Sequence, residues 1–388
     1  MGLIFDDPLL DVFGTSPLGY TNAGGLSLGE VLAVSAVARG GDASAFYDAW
    51  VAMGDRLASQ AESARQAGQL ATARGLFLKA STCYPPAYHP LYGLPIDPRL
   101  PAAFAKQIAA FESGLAIGEH PVEKIAIPFE GAALPGYVVR AVGREAETRP
   151  LLILTNGYDA TVVEMYFASA VAATQRGYHC LFFDGPGQGA PLIQHGAHLR
   201  PDWETVVRAV VDVAETLPGV DTSRIALSGW SLGGYLSLRG ATGESRLAAC
   251  IADPGLWGPL AILGGEQLQT DAGAAQLAKM DSSNPRAHWS LTQRGFFVHG
   301  VDSLEALFVE LQKYTLDGRI QNISCPTLIT KAENDSLSAT AERVYGALTG
   351  QKALSKFMAA DGAGDHCELY NRSLLNARVF DWLDAVFG

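Results

Sequence analysis

The spacing of apolar positions divides the chain into two regimes. Through the first third, apolar side chains recur at helical intervals, as on one face of an α-helix. This spacing predicts helices over Leu26–Val37, Ala43–Arg65 and Pro98–Ala116, and a helix pair over Ala61–Ser81 punctuated at Gly68. The stretch from Cys83 through Tyr84 and Tyr88 to Tyr92 is rich in rings and prolines. It reads equally as a rigid connector packed on the core and as a wall of a substrate pocket.

The period changes near Pro121. Val122–Phe129 and Gly136–Ala141 predict short strands joined by a turn at Glu130-Gly131. Beyond them strands and helices alternate. Strands are expected at Leu151–Thr155, Tyr178–Phe183, Arg224–Ser228, Ala248–Asp253, Pro326–Thr330 and Lys356–Ala360. Helices are expected at Val162–Arg176, Trp203–Leu217, Ala339–Leu348 and Asn371–Phe387. Such alternation predicts an α/β fold, a mostly parallel eight-stranded sheet covered on both faces, with ligands beyond the carboxyl ends of its strands. Residues 254–325 interrupt the pattern with a connection far longer than usual, read as a lid-like insertion carrying Trp257, a helix near Asp271–Met280 and Trp289. The chain thus reads as a helical cap domain over 1–120 and a catalytic domain over 121–388.

One junction carries a chemical signature. Arg224–Ser228 runs into Gly229-Trp230-Ser231-Leu232-Gly233-Gly234 and then into a helical pattern. A Gly-x-Ser-x-Gly between strand and helix is the setting of a nucleophile elbow, with Ser231 at its apex. A serine needs a base, and the base a carboxylate, in the chain order Ser, acid, His. Asp335 follows the strand at Pro326–Thr330, with Glu333 as a competing acid, and His366 lies on the Gly-rich loop after the last strand. The expected oxyanion donors are the backbone N–H groups of Leu232 and Tyr158, the latter in Asn156-Gly157-Tyr158-Asp159. Asp159 reads as either a substrate contact or a helix cap. Asp184-Gly185-Pro186-Gly187-Gln188-Gly189 lacks the Lys-Ser/Thr of a phosphate loop and reads as a tight structural turn. Trp230, Tyr84, Tyr88, Trp257 and Trp289 are further candidates for the substrate pocket.

Composition narrows the partners. The formal net charge is −12 and no basic run stands out, which argues against nucleic acid and anionic membrane. No apolar run reaches the ~18 residues of a membrane span, and the amino terminus lacks a signal-peptide pattern. The 5 cysteines are scattered, as for reduced, packed thiols in the cytoplasm. No residues have metal-ligand spacing; His195 and His198 read as loop residues, and neither a metal nor a cofactor is expected.

The elbow, together with Asn156-Gly157-Tyr158-Asp159, Asp184-Gly185-Pro186-Gly187-Gln188-Gly189 and Gly364-Asp365-His366-Cys367, resembles α/β-hydrolases with an amino-terminal helical cap. That group includes 2,6-dihydroxypseudooxynicotine hydrolase, the fungal polyketide-shortening hydrolases of yellowish-green pigment type and the fermentation-respiration switch proteins. The resemblance covers nearly the whole chain. It implies a Ser-Asp-His triad, hydrolysis of a carbon–carbon bond beside a ketone in several members, and a homodimer with the helical region over the active site. The expected substrate is therefore a small aryl ketone or polyketide-like compound. Two other readings stand beside this one: an ester or lactone hydrolase or acyl-transferring cyclase, and a regulatory binding protein on a hydrolase scaffold.

Overall fold

The computed structural model describes residues 2–118 and 122–388. The change of period expected at Pro121 lies outside the described residues. Contacts divide the chain into two units, one of Met1–Val122 with Leu277–Leu304, the other of Glu123–Gln276 with Glu305–Gly388. The insertion therefore does not form one body: its middle belongs with the helical unit and its two ends with the sheet.

The helical unit is built on α1 (Leu28–Ala38), α2 (Ala43–Gln66), α3 (Leu70–Ser81) and α4 (Arg99–Leu115). The Asp42 carboxylate caps α2 by accepting from the N–H groups of Ser44 and Ala45. Gly68, at φ +74°, makes the left-handed turn into α3. Trp50, Phe46, Tyr84, Tyr88, Phe104 and Phe111 are closed to solvent in its core. Residues of the insertion complete that core, with Trp289 edge-on to Phe13 at 5.1 Å and Phe297 against Tyr92 at 5.2 Å.

The second unit holds the sheet: β1 (Val122–Phe129), β2 (Ala132–Val139), β3 (Arg149–Thr155), β4 (His179–Phe183), β5 (Val220–Trp230), β6 (Ala249–Asp253), β7 (Thr327–Ala332) and β8 (Lys352–Phe357). Their order is β1-β2-β4-β3-β5-β6-β7-β8. β2 runs antiparallel to β4, and the pairs from β4 to β8 are parallel. β3, β4 and β6 are near-continuous apolar runs because helices cover both faces. Glu130 and Gly131, at φ +47° and +80°, form the expected hairpin turn, whose double positive φ suits the twist of the strands it joins.

β8 corrects the expected strand at Lys356–Ala360. It starts four positions earlier, at Lys352, and Met358-Ala359-Ala360 turns away into a short 3-10 helix. β8 is an edge strand in which only Phe357 is fully buried. Its sequence therefore lacks the apolar pattern that marks the inner strands.

Register sets up the site. Thr155 pairs with Gly229, Trp230 with Asp253, Ala252 with Ile329, and Ala332 with Phe357. The strands thus end side by side, and the loops leaving them emerge along one carboxyl edge.

Candidate active site

β5 passes into α5 (Leu232–Ala241) through a single residue, Ser231, at φ +63° and ψ −126°. A non-glycine residue there costs on the order of 1–3 kcal/mol, so its surroundings must hold it. The Ser231 N–H donates to the Asp253 carbonyl at 2.7 Å, and the Gly234 N–H to the Ser231 carbonyl at 2.9 Å. The turn closes so tightly that a Cβ on Gly229 would lie 1.7 Å from the Gly233 carbonyl oxygen.

The Ser231 hydroxyl lies 2.9 Å from His366 Nε2, and His366 Nδ1 lies 2.9 Å from Asp335 Oδ2. A carboxylate can only accept, so Nδ1 carries the proton and the Nε2 lone pair faces the serine. Asp335 Oδ1 accepts from the Leu337 N–H at 2.9 Å, so this carboxylate also caps the short helix after it. Glu333, the competing acid, instead accepts from the Ala359 N–H. Burial is the largest influence on Asp335 and opposes its ionisation, but the hydrogen bond and charge of His366, with the Leu337 N–H and the Ser338 hydroxyl, together outweigh it and hold its pKa low. For His366 burial opposes protonation, yet Asp335 prevails and raises its pKa above 6.5; Asp253 and Asp159 add to the effect. The His366 side chain remains 46% exposed, open to an incoming group.

Across from the elbow lies Asn156-Gly157-Tyr158-Asp159. A Cβ on Gly157 would sit 2.8 Å from the Leu232 nitrogen and 3.0 Å from Ser231 Cβ. The loop backbone is therefore pressed against the serine and the first N–H of α5, which no carbonyl of its own helix can reach. Tyr158 and Asp159 are both half-buried.

The remaining pocket candidates divide between the units. Tyr84 and Tyr88 are closed in the helical unit, their hydroxyls bonded to Asp55 and Gln107. Trp289 is buried in the same core. In the sheet unit Trp257 is buried with the Arg343 guanidinium over its ring at 3.9 Å, and half-buried Trp230 carries Arg372 at 5.1 Å. A cavity of about 20 Å³ touches Ser228, Gly229, Trp230, Asp253, Ser169 and Arg372. It has room for one water, not for a substrate.

A buried cluster that sequence reasoning missed ties the elbow to the histidine loop. Arg372 Nη1 donates to the Asp253 carboxylate at 3.1 Å and to the Cys367 carbonyl at 2.8 Å. Thr330 donates to the other Asp253 oxygen at 2.8 Å. Glu368 is 1% exposed and close enough to Asp253 to feel its charge. Burial and the Asp253 charge raise the Glu368 pKa and favour its protonated form. Cys367 and Glu368 both take left-handed backbone, at φ +54° and +48°, which these contacts hold in place. One signal was available: Arg372 opens α6 (Arg372–Phe387), where the helix dipole disfavours a cation, so a compensating carboxylate is called for. All five cysteines are buried free thiols. Among the described residues no group of His, Cys, Asp or Glu could hold a metal ion, and no helix is long and apolar enough to cross a membrane.

A sheet in this order, with a serine elbow after β5, defines an α/β-hydrolase. Residues 151–373 match the alpha/beta hydrolase family, and the chain belongs to it. It is similar to hydrolase acrC of Aspergillus aculeatus, at 32% identity over 95% of this chain and 94% of that one. It is also similar to 20-hydroxy-prefusarin hydrolase FUS2 of Gibberella moniliformis, at 30% identity over 99% and 96%. Among solved structures, 2,6-dihydroxy-pseudo-oxynicotine hydrolase shares the fold with a TM-score of 0.77 at 23% identity, covering 95% of each chain. The protein is an enzyme, a hydrolase of this family.

Proposed function

We propose that the protein is a serine hydrolase that cleaves a carbonyl compound, at the carbon–carbon bond beside the ketone of an aryl or polyketide-like substrate. The observation that carries this reading is the unbroken hydrogen-bonded chain Ser231–His366–Asp335. His366 accepts the Ser231 proton as Oγ attacks the carbonyl carbon, and Asp335 stabilises the imidazolium. The Leu232 and Tyr158 N–H groups receive the oxyanion. As the tetrahedral intermediate collapses, the bond to the leaving carbon breaks and its electron pair takes the proton from His366. Water, deprotonated by the neutral histidine, then attacks the acyl-enzyme and releases the acid. In ester cleavage the same proton goes to an alkoxide oxygen. The carbon–carbon assignment draws on the resemblance to hydrolases acting beside a ketone.

Ser231→Ala is expected to lower turnover by about 10⁴-fold or more and to abolish labelling by a fluorophosphonate probe. Full turnover in that variant sinks the reading. Turnover of aryl 1,3-diketones compared with p-nitrophenyl esters separates carbon–carbon from ester cleavage. Preference for the esters assigns the second chemistry.

A further inference from the structure

The turn Asp184-Gly185-Pro186-Gly187-Gln188-Gly189 bears no reacting group, yet its glutamine reaches the site. Gln188 is 1% exposed. Its Nε2 donates to the Asn156 carbonyl at 2.8 Å and to the Gly157 carbonyl at 3.1 Å. Its Oε1 accepts from the Gly185 N–H at 2.9 Å. These partners fix the carboxamide orientation, because two carbonyls can only face its NH₂ and an N–H can only face its oxygen. A second anchor holds the same loop: Asn156 Nδ2 donates to buried Asp184 at 2.8 Å.

We infer that Gln188 is a positioning residue for the oxyanion hole. By gripping the Gly157 carbonyl it aims the Tyr158 N–H at the substrate oxygen. The argument is one of peptide geometry. The Gly157–Tyr158 peptide is planar, and in a trans peptide the C=O and the N–H of one unit point in opposite directions. Holding the Gly157 carbonyl toward Gln188 turns the Tyr158 N–H to the opposite side. Gly157 lies between Gln188 and the elbow, since a Cβ there would meet Leu232 N, the Trp230 carbonyl and Ser231 Cβ. The opposite side is therefore the side of Ser231. Asn156 is held in the same sense, so the loop resists rotation at two successive carbonyls. The two donor hydrogens of the side chain are what the two carbonyls engage.

This inference rests on the proposed oxyanion role of Tyr158 and is tested in the full-length protein with p-nitrophenyl butyrate. Gln188→Met keeps the length of the side chain and removes both donors; Gln188→Glu keeps the acceptor for Gly185 and turns an oxygen toward the two carbonyls. Each is expected to lower kcat by about 10- to 100-fold with KM nearly unchanged. Affinity for an aryl trifluoromethyl ketone, which forms a tetrahedral oxyanion on the serine, should fall by the same factor. A folded variant of either kind with wild-type kcat and wild-type affinity for that ketone overturns the inference. If Ser231→Ala is inactive in the same assay, the loss falls on Gln188 alone. If Ser231→Ala remains active, the proposed function fails first.

Discussion

Gly157→Ala puts the closeness of the oxyanion loop to the elbow under direct test. Gly157 is not in the left-handed region, so alanine meets no backbone penalty of that kind. The perturbation is purely one of contact. The new methyl would sit 2.8 Å from the Leu232 nitrogen, 2.9 Å from the Trp230 carbonyl oxygen and 3.0 Å from Ser231 Cβ. Ordinary contact begins at 3.4 Å, so the gap to Leu232 must open by 3.4 − 2.8 = 0.6 Å. The elbow cannot retreat, because Ser231 N–H is held to Asp253 at 2.7 Å. The loop must yield instead. A donor starting at about 2.9 Å from the oxyanion ends near 3.5 Å, where little of the hydrogen bond is left. Losing one such donor costs about 10²–10³ in kcat, or roughly 2.7–4 kcal/mol of transition-state stabilisation. Since part of the shift can be shared, about 10²-fold is expected, with KM nearly constant. Overpacking adds a stability loss of about 1–3 kcal/mol. Steady-state turnover of p-nitrophenyl butyrate and urea unfolding read the two effects separately. A variant with wild-type kcat and an unchanged urea midpoint refutes the contact argument.

Three further predictions concern the carboxylates and the arginine beside them. Asp335→Asn should lower kcat by about 10⁴-fold. Only neutral His366 can act as base, and Asp335 raises its pKa, so wild-type activity is lost as pH falls through a value above 6.5. Without the carboxylate this acid limb moves to lower pH in the kcat/KM profile, and an unmoved limb contradicts the assignment. Arg372→Met leaves the buried Asp253 without its cation and should cost about 3–5 kcal/mol in urea unfolding. Glu368→Gln replaces an uncharged carboxyl by an uncharged amide of the same size and should be nearly neutral at acid pH. Because the Glu368 pKa is raised on folding, wild type loses stability as pH climbs above the unfolded carboxyl value, and the glutamine variant should gain relative to it there. Equal pH dependence of the two proteins rules out the raised pKa.

What was legible in the sequence follows what residues announce locally. The buried strands β3, β4 and β6 are runs of apolar side chains and were readable; the half-exposed β8 was not. Ser231 and Asp335 could be chosen because each follows a recognisable strand, and His366 because it lies on a Gly-rich loop late in the chain; the structure brings the three within hydrogen-bonding distance. Gln188 escaped notice because its partners are backbone carbonyls, which every residue carries. Asp253 meets Glu368 and Arg372 only through the folding of distant segments, so no spacing pattern records the cluster. The insertion read as one element because sequence does not show to which body a helix returns.

That return has a consequence for how the protein is made. The chain enters the helical unit first, leaves it at Val122, and comes back only for Leu277–Leu304. Elongation proceeds at about 5–20 residues per second. Phe13 and Tyr92 therefore emerge from the ribosome long before Trp289 and Phe297, the rings that complete their cluster. The unit translated first cannot be the unit finished first: its core waits until the nucleophile elbow has already been synthesised. During that interval Phe13 and Tyr92 lack the rings that pack against them, and a fragment ending at the first boundary lacks them permanently.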